Sequence, residues 1–117
     1  MAKPVLPPLY HLAKRLLILV EQKVRHFERY HKYTIGSDLR RQAMQIMRKI
    51  HRATYNRNLE NVSKLLYEIE EFKITLQLAK DIKAFKSLLQ FNEIADLAVE
   101  MGKQCGGWHR AIKHQAK

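Results

Sequence analysis

The residues of this sequence best suited to chemistry are arginines. Arg41, Arg48 and Arg52 follow one another at steps of seven and four, which places them on one face of a helix. A guanidinium group stays charged at physiological pH and can donate two parallel hydrogen bonds to one phosphate. The spacing therefore predicts a surface that binds phosphate or another anion.

The helix that carries these arginines is amphipathic. On a helical wheel, Leu39, Ile46 and Ile50 share a narrow sector opposite the arginines, and Arg40 and Lys49 flank that sector. About six phosphate contacts would lower affinity roughly 10³-fold between 50 and 200 mM salt. The plain alternative is a solvated helix face. The candidate nucleic-acid-binding residues are Lys14, Arg25, Arg29, Arg40, Arg41, Arg48, Lys49, Arg52 and Arg57.

The charge of the chain is concentrated in its first half. Residues 1–59 hold 13 Lys and Arg against 3 Asp and Glu, whereas residues 60–117 hold 9 against 8, and the net charge is +11. A field of one sign attracts polyanions. Nucleic acid is therefore the first partner to expect, ahead of an acidic protein or a membrane surface.

Signals for catalysis are weak. The spacing of Arg25 and His31 resembles the signature of small helical ribonucleases of the HEPN class, in which Arg and His stabilise a phosphorane and move protons around a 2′-hydroxyl. That class carries the signature near the end of its bundle, and here it lies in the first predicted helix. The remaining histidines show no i, i+4 pairing with a carboxylate that would suggest a metal site, namely His11, His51, His109 and His114. We expect no catalysis, no metal and no cofactor.

Compartment and membrane association follow from two features. The single Cys105 cannot form an internal disulfide, which is typical of a reducing compartment. Residues 16–20 are the longest strictly aliphatic run, far short of the ~20 apolar residues of a membrane span. We expect a cytoplasmic protein.

Apolar periodicity predicts four helices in one domain. The first starts at Leu9, and residues 31–36 form a loop after which Gly36 or Ser37 caps the second helix. Residues 55–58 end the second helix, and a break near 81–86 separates the third from the fourth. No segment alternates with period two for long enough to form a strand. The prediction is an all-α, antiparallel up-and-down four-helix bundle.

The predicted domain boundaries follow from this reading. Residues 1–8 contain three prolines and form an extended arm, residues 9–113 form the bundle, and residues 114–117 form a tail.

Small residues mark the last predicted helix. Ala98, Gly102, Gly106 and Gly107 precede the large anchor Trp108. Glycine costs about 1 kcal/mol in a helix interior, so the row indicates either tight packing within the chain or a subunit interface. Spare apolar residues outside the predicted core favour oligomerisation, namely Ile18, Tyr67, Ile74 and Leu78.

Two segments carry a resemblance to a known family. The segments are IGSDLRRQA at residues 35–43 and MGKQCGGW at residues 101–108. With the length, the basic charge and the four helices, they resemble the accessory variability determinant family of diversity-generating retroelements. That family is related to four-helix-bundle proteins encoded in ribosomal RNA intervening sequences. The resemblance covers roughly residues 8–113.

The resemblance implies a homo-oligomer, typically a pentameric barrel, that has no catalysis of its own. It implies binding to a reverse transcriptase and to template RNA or its DNA copy, in support of error-prone copying. The matching basic positions are Arg40, Arg41 and Arg48, with Arg52 alongside. One alternative is a stand-alone RNA- or DNA-binding bundle of the ribosomal RNA intervening-sequence type, although residues 51–56 lack its Asn-x-Ala-Glu-Gly element. The other is the small helical ribonuclease.

Overall fold

The fold consists of four long helices and one single helical turn, seen in a computed structural model that describes residues 6–115. These residues contain no strand. The all-α four-helix bundle predicted from the sequence is confirmed. The first five residues of the predicted arm and the last two of the predicted tail lie outside the described residues. The helices are α1 (Pro8–Val24), α2 (Arg29–Lys32), α3 (Ile35–Tyr55), α4 (Leu59–Asp81) and α5 (Leu88–Gln115).

The four long helices form a closed ring in which each packs on two neighbours. Helix α1 packs against α3 and α5, and α4 also packs against α3 and α5. Helices α1 and α3 are antiparallel. Tyr10, near the start of α1, contacts His51 near the end of α3, and Glu21, near the end of α1, contacts Arg40 near the start of α3. The bundle measures 48 × 28 × 21 Å, so its two ends are well separated. Within residues 6–115, no helix is both long and apolar enough to cross a bilayer.

The core lies along the axis of the ring and is made from the predicted apolar stripes. Leu16, Ile46, Phe72 and Met101, one from each long helix, are almost completely buried. Burying one such side chain stabilises the fold by about 1.5–3 kcal/mol. This shared core explains why four helices with short connections assemble in sequence order.

The connection between α1 and α3 differs from the predicted loop. A single turn, α2, replaces part of it, and α3 begins at Ile35 with Thr34 as its N-cap. The Thr34 carbonyl accepts the Asp38 N–H at 3.2 Å, which starts the helical hydrogen bonds before the predicted caps. The prediction that Gly36 or Ser37 caps the helix is therefore wrong, since both lie in its first turn.

The predicted break between the last two long helices is present, and it starts with an unusual residue. Lys83 adopts φ 63°, in the left-handed region that glycine usually fills at this position. Its N–H bonds to the Lys80 carbonyl at 3.0 Å, and the Ala84 N–H bonds to the Ala79 carbonyl at 2.9 Å. This is the Schellman hydrogen-bond pattern, and it ends α4 with a lysine held in a conformation that costs energy.

Candidate nucleic-acid interface

Five residues near the C-terminal end of α3 line an open depression of about 430 Å³, which we call the α3 patch. They are Arg48, His51, Arg52, Tyr55 and Asn56. All five are exposed. Steps of four and three residues place Arg48, Arg52 and Tyr55 on one face of α3. The opposite face of this helix packs in the core. The patch combines two cations, an aromatic ring, an imidazole and an amide.

The two arginines of the α3 patch are available for a ligand. Among residues 6–115, neither Arg48 nor Arg52 has a carboxylate within 4.0 Å. They are one turn apart, about 6 Å along the helix axis, so each guanidinium can bind a separate phosphate. Arg52 also lies in the last turn of α3, where the free carbonyl ends favour a cation.

Helix α1 borders the α3 patch and orients one of its rings. The Tyr10 ring meets the His51 ring edge-on, with 5.2 Å between centroids. Lys14 follows Tyr10 by one turn of α1 and therefore shares its face. Lys14 is exposed, so it adds positive charge beside the patch.

Three of the predicted binding residues are engaged by carboxylates instead. Arg40 Nε lies 2.8 Å from Glu21 Oε1, and this hydrogen bond and charge raise the pKa of Arg40. Arg41 lies 3.5 Å from Asp38, and Lys49 lies 3.6 Å from Glu68. Arg40 and Lys49 flank the α3 core as the wheel predicts, and they face the neighbouring helices α1 and α4.

The predicted basic surface is not continuous, because antiparallel helices send its members to opposite ends. Arg25 follows the last residue of α1, and Arg29 begins α2. The pairing of Glu21 with Arg40 puts Arg25 near the start of α3, more than ~20 Å along the axis from Arg52. Arg25 and Arg29 therefore do not join the α3 patch.

The pair considered for ribonuclease chemistry occupies two different elements. Arg25 is exposed at the end of α1, whereas His31 lies half-buried within α2. The Nδ1 atom of His31 is buried without a hydrogen-bond partner, and its ring meets Tyr30 edge-on at 5.5 Å. Among the described residues, no carboxylate lies within 4.0 Å of the His31 imidazole to orient it as a general base.

The predicted small-residue row divides into core and open positions. Ala98 is buried in the core, and the half-buried side chain of Trp108 packs against the core. A Cβ atom at Gly102 would meet its nearest neighbour, Glu70, at 3.5 Å, which is an ordinary contact. At Gly106 and Gly107 it would meet only the flexible Arg110 side chain. Packing within the chain therefore does not require glycine at these three positions.

Cys105 is buried beside this row and is chemically quiet. Its Sγ atom lies 4.0 Å from the Val62 carbonyl oxygen. Burial, with a smaller effect of Glu70, raises the pKa of the thiol to about 12. A thiol with such a pKa remains protonated and unreactive, so packing is the role its position supports.

Sequence reasoning missed two groups of residues. His51, Tyr55 and Asn56 join the α3 patch, and the spacing of Tyr55 after Arg48 and Arg52 was the signal that could have found it. A second cationic group surrounds the α4–α5 connection, at the opposite end of the bundle. It consists of Lys80, Lys83 and Lys86. The near-neutral charge of the second half of the chain concealed it.

Neither metal chemistry nor comparison with known proteins supplies a further assignment. Between residues 6 and 115, no three His, Cys, Asp or Glu side chains are grouped so that they could hold a metal ion. No family model, curated protein or solved structure matches the chain. Function must therefore be inferred from the α3 patch and from the resemblance of two sequence segments.

Proposed function

We propose that this protein is a non-enzymatic accessory protein of a diversity-generating retroelement. It binds the reverse transcriptase and the template RNA or its DNA copy, and so supports mutagenic reverse transcription. The resemblance of residues 35–43 and 101–108 supports the identity of the partners. The observation that carries the binding step is the pair Arg48 and Arg52, exposed in one depression without a carboxylate partner among the described residues.

The chemistry of the α3 patch suits a nucleic acid of any sequence. Arg48 and Arg52 bind phosphates, which all sequences share. The Tyr55 ring, 55% exposed, offers a face on which an unpaired base can stack. Such binding depends on the phosphate backbone of the nucleic acid and not on its sequence, which suits a protein that supports the copying of any template. The affinity should fall steeply as the salt concentration rises.

Self-association in the cytoplasm completes the proposal. Tyr67, Ile74 and Leu78 form an exposed apolar row on α4, with exposures of 67%, 55% and 51%. Contiguous exposed apolar patches mark protein–protein interaction sites, whereas single scattered apolar residues do not. An added Cβ atom at Gly102, Gly106 or Gly107 would make only ordinary contacts, so packing within the chain does not account for the glycines of this row. The resemblance makes the assembly a pentamer, in which the α3 patch is repeated and nucleic acid is held at several points.

The test compares two pairs of arginines that carry the same charge. Replacing Arg48 and Arg52 by glutamine removes two phosphate contacts, which lowers the slope of log affinity against log salt by about 1.4 for a single strand. At about 0.1 M salt the corresponding loss of affinity is about 25-fold. Fluorescence anisotropy of a labelled single-stranded RNA, between about 50 and 200 mM salt, measures both quantities.

The matched control is the double variant Arg40→Gln with Arg41→Gln, which removes the same charge from residues already held by Glu21 and Asp38. Its salt slope should stay at the wild-type value. Equal losses in both double variants would refute a localised interface and leave only the general field of a basic protein. The identity of the enzyme partner is tested separately, since the absence of a reverse transcriptase gene beside this one would refute the retroelement role alone.

A further inference from the structure

A second cavity lies at the same end of the bundle as the α3 patch. It has a volume of about 400 Å³, within the range of small-molecule sites. It forms where the start of α1, the end of α3 and the last turns of α5 meet. Its walls include Pro7, Pro8, Thr54, Arg57, Gln104 and Trp108, and we call it the Trp108 pocket.

The walls of the Trp108 pocket suit a flat aromatic group. Pro7, Pro8 and the indole ring of Trp108 present apolar surfaces, and prolines have no N–H group that would be left unpaired against an apolar ligand. Aromatic side chains stack on the faces of nucleic-acid bases, and every base has such a face. The apolar lining therefore favours a planar ring without selecting one base.

The polar groups of the pocket offer hydrogen-bond acceptors, one amide N–H and one cation. The Thr54 hydroxyl donates its hydrogen to the Ile50 carbonyl at 2.8 Å, which leaves its oxygen free to accept. The Gln104 amide donates one hydrogen to Glu100 at 3.3 Å, which leaves its second N–H able to donate and its carbonyl oxygen able to accept. Arg57 is exposed and has no carboxylate within 4.0 Å among the described residues. Two acceptors suit the amino and imino groups of a base, and the guanidinium suits its phosphate.

The Trp108 pocket and the α3 patch are joined by sequence. Thr54 and Arg57 line the pocket, while Tyr55 and Asn56 between them line the patch. A strand whose phosphates lie on Arg48 and Arg52 can therefore place a neighbouring base at the pocket. We propose that the Trp108 pocket binds one unpaired base of a single-stranded nucleic acid, stacked on Trp108, with Arg57 paired to the adjacent phosphate. This proposal rests on the proposed function and adds a preference for single strands, because duplex bases are already stacked and paired.

The chain carries its own reporter for this site, since Trp108 is its one tryptophan. A single-stranded oligonucleotide of about ten nucleotides should quench Trp108 emission, with a midpoint equal to that of binding measured by anisotropy. A duplex of the same sequence should bind the α3 patch without quenching. Trp108→Leu should weaken single-strand binding roughly 5- to 140-fold and leave duplex binding nearly unchanged.

Two further variants guard against a folding defect. Arg57→Gln keeps the reporter and should weaken single-strand binding about 5-fold at about 0.1 M salt. Tyr33→Leu makes the same aromatic-to-leucine change at an exposed residue of the opposite end, and it should leave both affinities at the wild-type value.

The measurements distinguish base binding in the Trp108 pocket from binding at the α3 patch alone. Quenching by the single strand alone, lost affinity in Trp108→Leu and an unaffected Tyr33→Leu would support the pocket. Binding without quenching, with equal affinities for Trp108→Leu and wild type, would overturn the pocket and leave the α3 patch intact. A shift of Trp108 emission on deleting residues 2–5, again without quenching by oligonucleotides, would assign the cavity to the chain's own first residues and overturn the proposal. Failure of both nucleic acids to bind would refute the proposed function together with the pocket.

Discussion

Replacing Gly36 by alanine probes the closest approach between α3 and the chain before it. A Cβ atom at Gly36 would lie 2.7 Å from Val24 Cγ1 and 3.0 Å from the His31 carbonyl oxygen. Val24 is a stiff, buried β-branched side chain, and the carbonyl belongs to the backbone of α2. Neither can yield unless the end of α1 or α2 moves, so Gly36→Ala should be destabilising.

The expected size of the effect follows from two opposing terms. Overpacking costs ~1–3 kcal/mol, and a contact of 2.7 Å against groups that cannot yield puts Gly36 at the upper end of that range, whereas alanine is a better helix former than glycine by about 1 kcal/mol. The net loss for Gly36→Ala is therefore about 2 kcal/mol. At Gly102 the nearest neighbours lie at 3.5 and 3.7 Å, so only the gain of up to about 1 kcal/mol remains. A chain of this size shifts its Tm by about 4 °C per kcal/mol, which predicts about −8 °C and +4 °C for the two variants.

Urea and thermal unfolding followed by circular dichroism measure both variants at one protein concentration. Gly102→Ala is the matched control, since it makes the same chemical change in the middle of a helix where the added Cβ meets its neighbours at ordinary contact distances. A Gly36→Ala protein as stable as the wild type would refute the close packing of α3 beneath α1 and α2. A destabilised Gly102→Ala would refute the ordinary contacts at that position, and a loss that grew with protein concentration would point to a second copy there.

The remaining predictions concern the α4–α5 connection and self-association. Lys83→Gly should raise the free energy of unfolding by about 1 kcal/mol, because glycine adopts φ 63° without strain. The control Lys83→Ala should change it by no more than about 0.5 kcal/mol. Equal effects of the two substitutions in urea unfolding would contradict the strain at Lys83. Light scattering should give a mass well above 13.9 kDa. Ile74→Glu with Leu78→Glu should reduce it to the monomer, whereas Met44→Glu, at an exposed apolar residue of α3, should not. A wild-type monomer at micromolar concentration would refute the oligomer.

The helices could be predicted from the sequence because their signal is local. Leu16, Ile46 and Phe72 lie on stripes with steps of three and four, and burial of such stripes leaves few alternatives to a bundle. The start of α3 could not be predicted in the same way. Thr34 makes no side-chain capping hydrogen bond, and the first hydrogen bond of the helix uses its backbone carbonyl, which any residue possesses, so the start gives no signal in the side-chain pattern.

The functional surface was harder to predict because it depends on direction and distance. A helical wheel places Arg40 and Lys49 beside the core sector, but it does not reveal that Glu21 of α1 and Glu68 of α4 pair with them, because those carboxylates belong to other helices. The spacing of Asp38 and Arg41 and the antiparallel order of the helices were both visible in the sequence, so the separation of Arg25 from Arg52 could have been predicted. The Trp108 pocket needs residues from three distant segments, so no window of sequence contains its signal.

The contact between α1 and α5 has a consequence for how the chain can be connected. These helices are neighbours in the ring, and the start of one meets the last turns of the other around the same cavity. The other three pairs of neighbouring long helices join helices that follow one another in sequence, and such local connections are typical of helical bundles that fold rapidly. Joining the end of α5 to the start of α1 by a linker and opening the chain between Lys86 and Ser87 would keep all four neighbouring pairs. The four long helices form a closed ring, so a permuted chain that keeps their order around the ring should keep the same fold.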